Sequence, residues 1–153
     1  MKITEILTPD LVLPDLRGTS KSDILRELAE CLAAKFTAID VNGLAAVLAE
    51  RERLGSTAIG DGIAIPHGKI RSATKIVGAF GRNVAGVDFD SLDGGLTHLF
   101  FVLVASEDSN SLHLKALACV SRLLKHTAFR ERLIAAPDAN DIYRLIVEED
   151  GRY

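Results

Sequence analysis

His67 stands between a proline and a glycine, in the string Ile63-Ala64-Ile65-Pro66-His67-Gly68. Pro66 fixes the backbone before it, Gly68 frees the backbone after it, and the apolar run anchors the approach in the core, so the imidazole is carried on a stiff support. A neutral imidazole with an ordinary pKa of about 6.5 can act as nucleophile, general base or metal ligand, or serve as a hydrogen-bonded structural group. Position alone leaves these four roles open. A second histidine, His113, lies in a helix expected from Ser111, on one stripe with Leu117, Val120 and Leu124. That spacing turns His113 toward the core within the first turn, where unpaired N–H groups and the dipole favour a bound anion and a neutral imidazole. A satisfied core histidine is the alternative. Arg51 and Arg53 flank the end of a preceding helix, and a guanidinium can grip two phosphate oxygens at once, although solvated surface arginines look the same in sequence. His98, opening a strand, and His126, closing a helix, are read as structural.

Several chemistries lack their motifs. The glycine-rich stretch Gly55–Gly68 has no Gly-Lys-Ser/Thr ending of a phosphate-binding loop, and Ile65 stands where a dinucleotide fingerprint after Gly60-Asp61-Gly62 needs glycine. In Asp88-Phe89-Asp90-Ser91-Leu92-Asp93-Gly94, Leu92 replaces a calcium ligand and Asp93 the turn glycine, so the segment is a polar turn. Neither a HExxH zinc pair nor a GxSxG elbow occurs. No cofactor and no metal are expected.

The elements that must position these residues follow from periodicity. After the hydroxyls of Thr19-Ser20-Lys21-Ser22, apolar residues at 24, 25, 28, 32 and 36 predict an amphipathic helix of about four turns. Asp40 caps a second helix through Leu44, Val47, Leu48 and Arg51, stopped by Gly55. The following stretch holds four of twelve glycines in fourteen positions, so something there needs unusual backbone. Ile76–Phe80 and Leu96–Ala105 read as strands, the second apolar on both faces from Leu99 onward, as in a central strand covered on both sides. Ser109–Lys125, Phe129–Ala135 and Asp141–Val147 read as helices, with Pro137 as a break. The expected fold is α/β: one domain over 1–153, with a mixed sheet of about five strands flanked by helices on both faces.

Composition narrows the class. At 153 residues, 48% hydrophobic and 25% charged, the chain reads as one globular domain able to bury a core. Eighteen basic against 21 acidic residues leave a net charge of −3, without the basic surface that nucleic acid or an anionic membrane attracts. Cys31 and Cys119 sit among apolar neighbours and read as two buried thiols in a reducing compartment. The first residues lack a signal-peptide core and the longest apolar run is too short to span a bilayer, so a soluble, cytoplasmic protein is expected.

The string Arg51-Glu52-Arg53-Leu54-Gly55-Ser56-Thr57-Ala58-Ile59-Gly60-Asp61-Gly62-Ile63-Ala64-Ile65-Pro66-His67-Gly68 resembles the signature of fructose/mannitol-type (type 2) enzyme IIA domains of the phosphoenolpyruvate-dependent sugar phosphotransferase system. Val87–Gly94 and Leu112-His113-Leu114-Lys115-Ala116-Leu117 extend the resemblance over nearly the whole chain. A lone IIA domain is most similar to the nitrogen-regulatory branch. The resemblance implies that His67 is the phosphorylated histidine, that His113 supports it and that Arg51 stabilises the phosphate, whereas Arg53 matches no site residue. It also implies HPr, or a nitrogen-branch HPr-like protein, as phosphate donor. Three readings follow from it: a regulatory phosphocarrier, a sugar-specific IIA passing phosphate to a separate IIB protein, and a binding module whose histidines are structural.

Overall fold

The computed structural model describes the whole chain, Met1–Tyr153. Helix α1 (Lys21–Lys35) starts where the Ser20 hydroxyl accepts from the Asp23 N–H, and α2 (Val41–Arg53) where the Asp40 carboxylate accepts from the Gly43 N–H. The α1 stripe buries Ile24, Leu25, Leu28 and Leu32 and ends at a half-buried Phe36. Past α2, Gly55, Gly60 and Gly62 take φ of 152°, 106° and 76°, the unusual backbone that the glycine density requires.

Six strands form one mixed sheet: β1 (Val12–Leu13), β2 (Ala58–Gly60), β3 (Ile63–Ala64), β4 (His67–Ile70), β5 (Val77–Val87) and β6 (Thr97–Ser106). The order is β1-β5-β6-β3-β2, with β4 also paired to β6. β5 and β6 are antiparallel, while β3 and β4 run parallel along the same side of β6, Ile63 opposite Leu99 and His67 opposite Leu103. One more strand is present than expected because β1 to β4 are only two to four residues long, too short to show an alternation in sequence. β5 runs on past the expected end at Phe80, still paired with β6, and its continuation buries polar groups that break the apolar pattern. Among them is Arg82, 4% exposed, which donates to the carbonyls of Pro14, Leu133, Ile134 and Ala136.

Every residue from Leu99 to Ala105 is buried on both sides of β6. Helices α1 and α2 pack on each other and against β5 and β4, and α3 (Asn110–Leu123) packs on β6. Helix α4 (Thr127–Ala135) leans on α5 (Ala139–Asp150), which reaches α3 and β1. One core of 43 buried apolar residues results, with Phe80 edge-on to Phe101 and Phe89 edge-on to Phe100. The break at Pro137 falls between α4 and α5, where Asp138 caps the latter.

Two sequence expectations need correction. Cys31 is half-buried and only Cys119 is buried, since Cys31 lies at the rim of the α1 stripe; both thiols are free. His126 opens α4 rather than closing α3, because Arg130 takes the terminal carbonyls of Leu124 and Lys125 and His126 is left to start the next helix. No helix is long and apolar enough to cross a membrane.

Candidate active site

His67 begins β4, directly after Pro66, whose carbonyl accepts from the Leu103 N–H of β6 at 2.9 Å. Its Nδ1 lies 2.8 Å from the Ile65 carbonyl oxygen. A carbonyl can only accept, so Nδ1 carries the proton and the lone pair of the neutral ring is on Nε2. The Arg51 Nε–H donates toward that Nε2 at 3.3 Å, and Arg51 Nη1 donates to the Gly55 carbonyl at 2.7 Å. Burial holds the His67 pKa below its ordinary value; the Ile65 bond opposes this and the charge of Arg51 adds to it.

The contact between Arg51 and His67 depends on how closely α2 lies on β4. A Cβ on Gly68 would stand 2.6 Å from Val47 Cγ1. Val47 and Arg51 are one helical turn apart on the same face, so the bare backbone at 68 lets α2 settle with its guanidinium over the neighbouring imidazole. Gly68 is thus there for room, unlike the three loop glycines with positive φ.

His113 lies in the first turn of α3 and is 6% exposed, facing inward as its spacing predicts, though Leu117 on the expected stripe is only half-buried. Its ring centroid is 5.3 Å from that of His67, with the planes at 52°. Burial pushes its pKa from the ordinary 6.5 down to about 4, with the nearby His67 and Lys69 adding to the fall, so the ring is neutral at pH 7. Nδ1 of His113 is buried without a partner.

Of the sequence candidates, His67, His113 and Arg51 come together and Arg53 does not. Arg53 is exposed and pairs with Glu50 on its own helix. His98 is held away from the cluster, its Nδ1 within 3.2 Å of the Asn83 and Val84 carbonyls. Two further residues at the site escape a reading by motif. Lys69, two positions beyond His67 on β4 and therefore on the same side, reaches Asn110 Oδ1 at the start of α3. Glu52 is 6% exposed, and its carboxylate accepts from both the N–H and the hydroxyl of Thr57. The available signal for Glu52 was an acid in the last turn of the helix that feeds the glycine loop. The polar turn at 88–94 packs against that loop, with the Ser56 hydroxyl donating to the Phe89 carbonyl at 2.7 Å and the Asp61 N–H to Asp93 at 3.1 Å. No group of three or more His, Cys, Asp or Glu is placed to hold a metal ion.

A lone pair on Nε2, one guanidinium beside it and a second, neutral imidazole across from it form a site suited to receiving an electrophile with anionic oxygens. The family model described as phosphoenolpyruvate-dependent sugar phosphotransferase system, EIIA 2, matches residues 5–149. The chain belongs to this family. Among curated EIIA 2 relatives, it is 42% identical over 146 residues to a nitrogen regulatory protein of Bradyrhizobium diazoefficiens, covering 95% of each chain. It is 37% identical over 150 residues to the fructose-specific EIIABC component of Bacillus subtilis, covering 98% of this chain and 24% of that one. The crystal structure of nitrogen regulatory protein IIA-Ntr from Neisseria meningitidis superposes with a TM-score of 0.87 at 30% identity, over 94% of this chain and 98% of that one. The EIIA 2 fold, a mixed α/β sheet with five helices, is therefore common to this chain and that protein.

Proposed function

We propose that this EIIA 2 chain is a cytoplasmic phosphocarrier that accepts a phosphoryl group on Nε2 of His67 from the phosphohistidine of HPr or a nitrogen-branch HPr-like protein. The observation that carries the reading is the Nδ1–H bond to the Ile65 carbonyl, which leaves Nε2 unprotonated and facing Arg51. In the transfer, the Nε2 lone pair forms a new N–P bond while the N–P bond in the donor breaks and its electron pair stays on the donor's ring nitrogen. The proton stays on Nδ1, donated to the Ile65 carbonyl, throughout. Arg51 turns its donors from Nε2 to the phosphoryl oxygens, and neutral His113 offers a second donor through Nε2–H, its buried Nδ1 holding the lone pair. Neither role needs a nucleotide or a metal.

A regulatory role of the nitrogen/potassium type, exerted on a target protein according to phosphorylation state, is supported by two relatives matched along almost their whole length that are nitrogen regulatory proteins. A second reading, a sugar-specific IIA that hands the group to a separate IIB protein, is favoured by the 37% identity to the fructose-specific component. The test is intact-mass spectrometry after incubation with phosphoenolpyruvate, enzyme I and HPr, or their nitrogen-branch relatives. One acid-labile phosphoryl adduct is expected, absent from His67→Ala; an adduct of equal strength on folded His67→Ala would overturn the assignment, and no adduct on the parent would leave the binding-module reading.

A further inference from the structure

His67 owes its tautomer to Ile65, and the chain of hydrogen bonds does not stop there. The Ile65 N–H donates to the Thr57 carbonyl at 3.1 Å, and the Thr57 N–H donates to Glu52 Oε1 at 3.0 Å. The Thr57 hydroxyl donates to Glu52 Oε2 as well. A continuous path thus runs from a buried carboxylate at the end of α2, through the backbones of Thr57 and Ile65, to Nδ1 of the reacting imidazole. Thr57 is 4% exposed, so its N–H and hydroxyl have no access to water and need acceptors within the protein. One carboxylate satisfies both. Its charge is met by Lys21 Nζ, 3.6 Å from Glu52 and 3.0 Å from Asp90 in the turn after β5, with the ammonium 5.0 Å from the centre of the Phe89 ring.

We infer that Glu52 is a positioning residue for phosphoryl transfer: acting through Thr57 and Ile65, it holds the carbonyl that keeps the proton on Nδ1 of His67 and Nε2 open. The inference rests on the phosphocarrier reading for its consequence, while its structural content can be read on the free protein. Which ring nitrogen is protonated depends on the bond the other makes. If Thr57 is released, the Ile65 peptide is free to turn and the imidazole reverts to its preference in water, with the proton on Nε2. That form has no lone pair where the phosphorus arrives.

Long-range 1H–15N spectra of the His67 ring, with single-turnover transfer from phospho-HPr, test this on the parent, Glu52→Ala, Glu52→Gln and Glu52→Met. The parent is expected to show Nδ1 protonated and Nε2 bare. Glu52→Ala should shift the ring toward the Nε2–H form and slow transfer by about tenfold, without changing the donor concentration that half-saturates the rate. Glu52→Gln should restore both, because its amide oxygen accepts from the Thr57 N–H and its amide nitrogen donates to the Thr57 hydroxyl. A Glu52→Ala protein with the parent's ring spectrum would overturn the inference, as would failure of Gln to restore it. If Glu52→Ala does not fold, Glu52→Met, which fills the same space without a carboxylate to accept from Thr57, decides: a partial Nε2–H population supports the path and an unchanged ring overturns it. A parent that takes no phosphoryl group sinks the phosphocarrier reading instead, and the ring spectra still judge the tautomer path.

Discussion

Arg51 Nε stands 3.3 Å from Nε2 of His67 while Nη1 of the same guanidinium holds the Gly55 carbonyl at 2.7 Å. The shorter bond anchors the side chain to the loop, and the longer one is the contact that must be given up when phosphorus reaches Nε2. A long, weak bond is surrendered at little cost, and the freed donors are already beside the incoming oxygens.

Arg51→Ala is expected to slow single-turnover transfer by about 10²-fold, the scale of losing one preorganised donor group at a developing anion. Arg51→Lys should recover only part of this, since an ammonium lacks the fork that spans the loop carbonyl and the phosphate. Rapid-quench measurement at saturating phospho-HPr distinguishes the two; equal rates for parent and Ala variant would remove Arg51 from the site.

Acceptance should persist into mildly acidic solution. Because the His67 pKa is held below 6.5, its lone pair survives to lower pH than that of a free histidine, and the transfer rate falls only as pH drops through the lowered value. In Arg51→Ala, loss of a nearby positive charge should raise the His67 pKa and move that fall to higher pH. NMR titration of the ring protons beside the pH–rate profile checks both shifts, and a profile centred at or above 6.5 in the parent would contradict them.

Stability should share this acid sensitivity through His113. Its pKa is about 4 in the folded chain against 6.5 when unfolded, so between those values the unfolded state binds the extra proton. Unfolding free energy therefore falls as pH drops from about 6.5 to about 4, by on the order of 3 kcal/mol, and is insensitive to this group above that window. Urea unfolding at pH 7.5, 6 and 5 is the measurement, with His113→Phe expected to flatten the dependence. A His113 ring that titrates at 6.5 by NMR would refute the burial account.

Gly68→Ala should destabilise the fold by about 1–3 kcal/mol, because the new methyl meets Val47 Cγ1 and must push α2 away from β4. The same displacement draws Arg51 off His67, so transfer should slow too. Val47→Ala in the same chain makes the space, and a double-mutant cycle on thermal stability and transfer rate should show strong coupling between positions 47 and 68. Additive effects would mean that the close packing of α2 on β4 does not place the guanidinium.

The helices and the two long strands were legible in the residues because each repeats its period several times: Ile24 to Leu32 for α1, Leu99 to Ala105 for β6. Asp40 as a cap, Gly55 as a stop and Pro137 as a break act on their immediate neighbours and need no distant partner. His67, Arg51 and His113 could be singled out as types in suggestive settings, and resemblance joined them. Their proximity is a different matter. His113 is 46 residues beyond His67 and meets it only because β4 runs along β6, and β6 leads into α3. The short strands β1, β3 and β4 exist by pairing with β5 or β6 far along the chain, with β2 added at the edge of β3, and β5 could be traced past Phe80 only once Arg82 had its four carbonyls. The tautomer of His67 and the burial of Glu52 were likewise decided by folding. A local pattern records which face of a segment avoids water, whereas a hydrogen bond or a shifted pKa depends on groups that chain connectivity does not bring together and only the packed structure does.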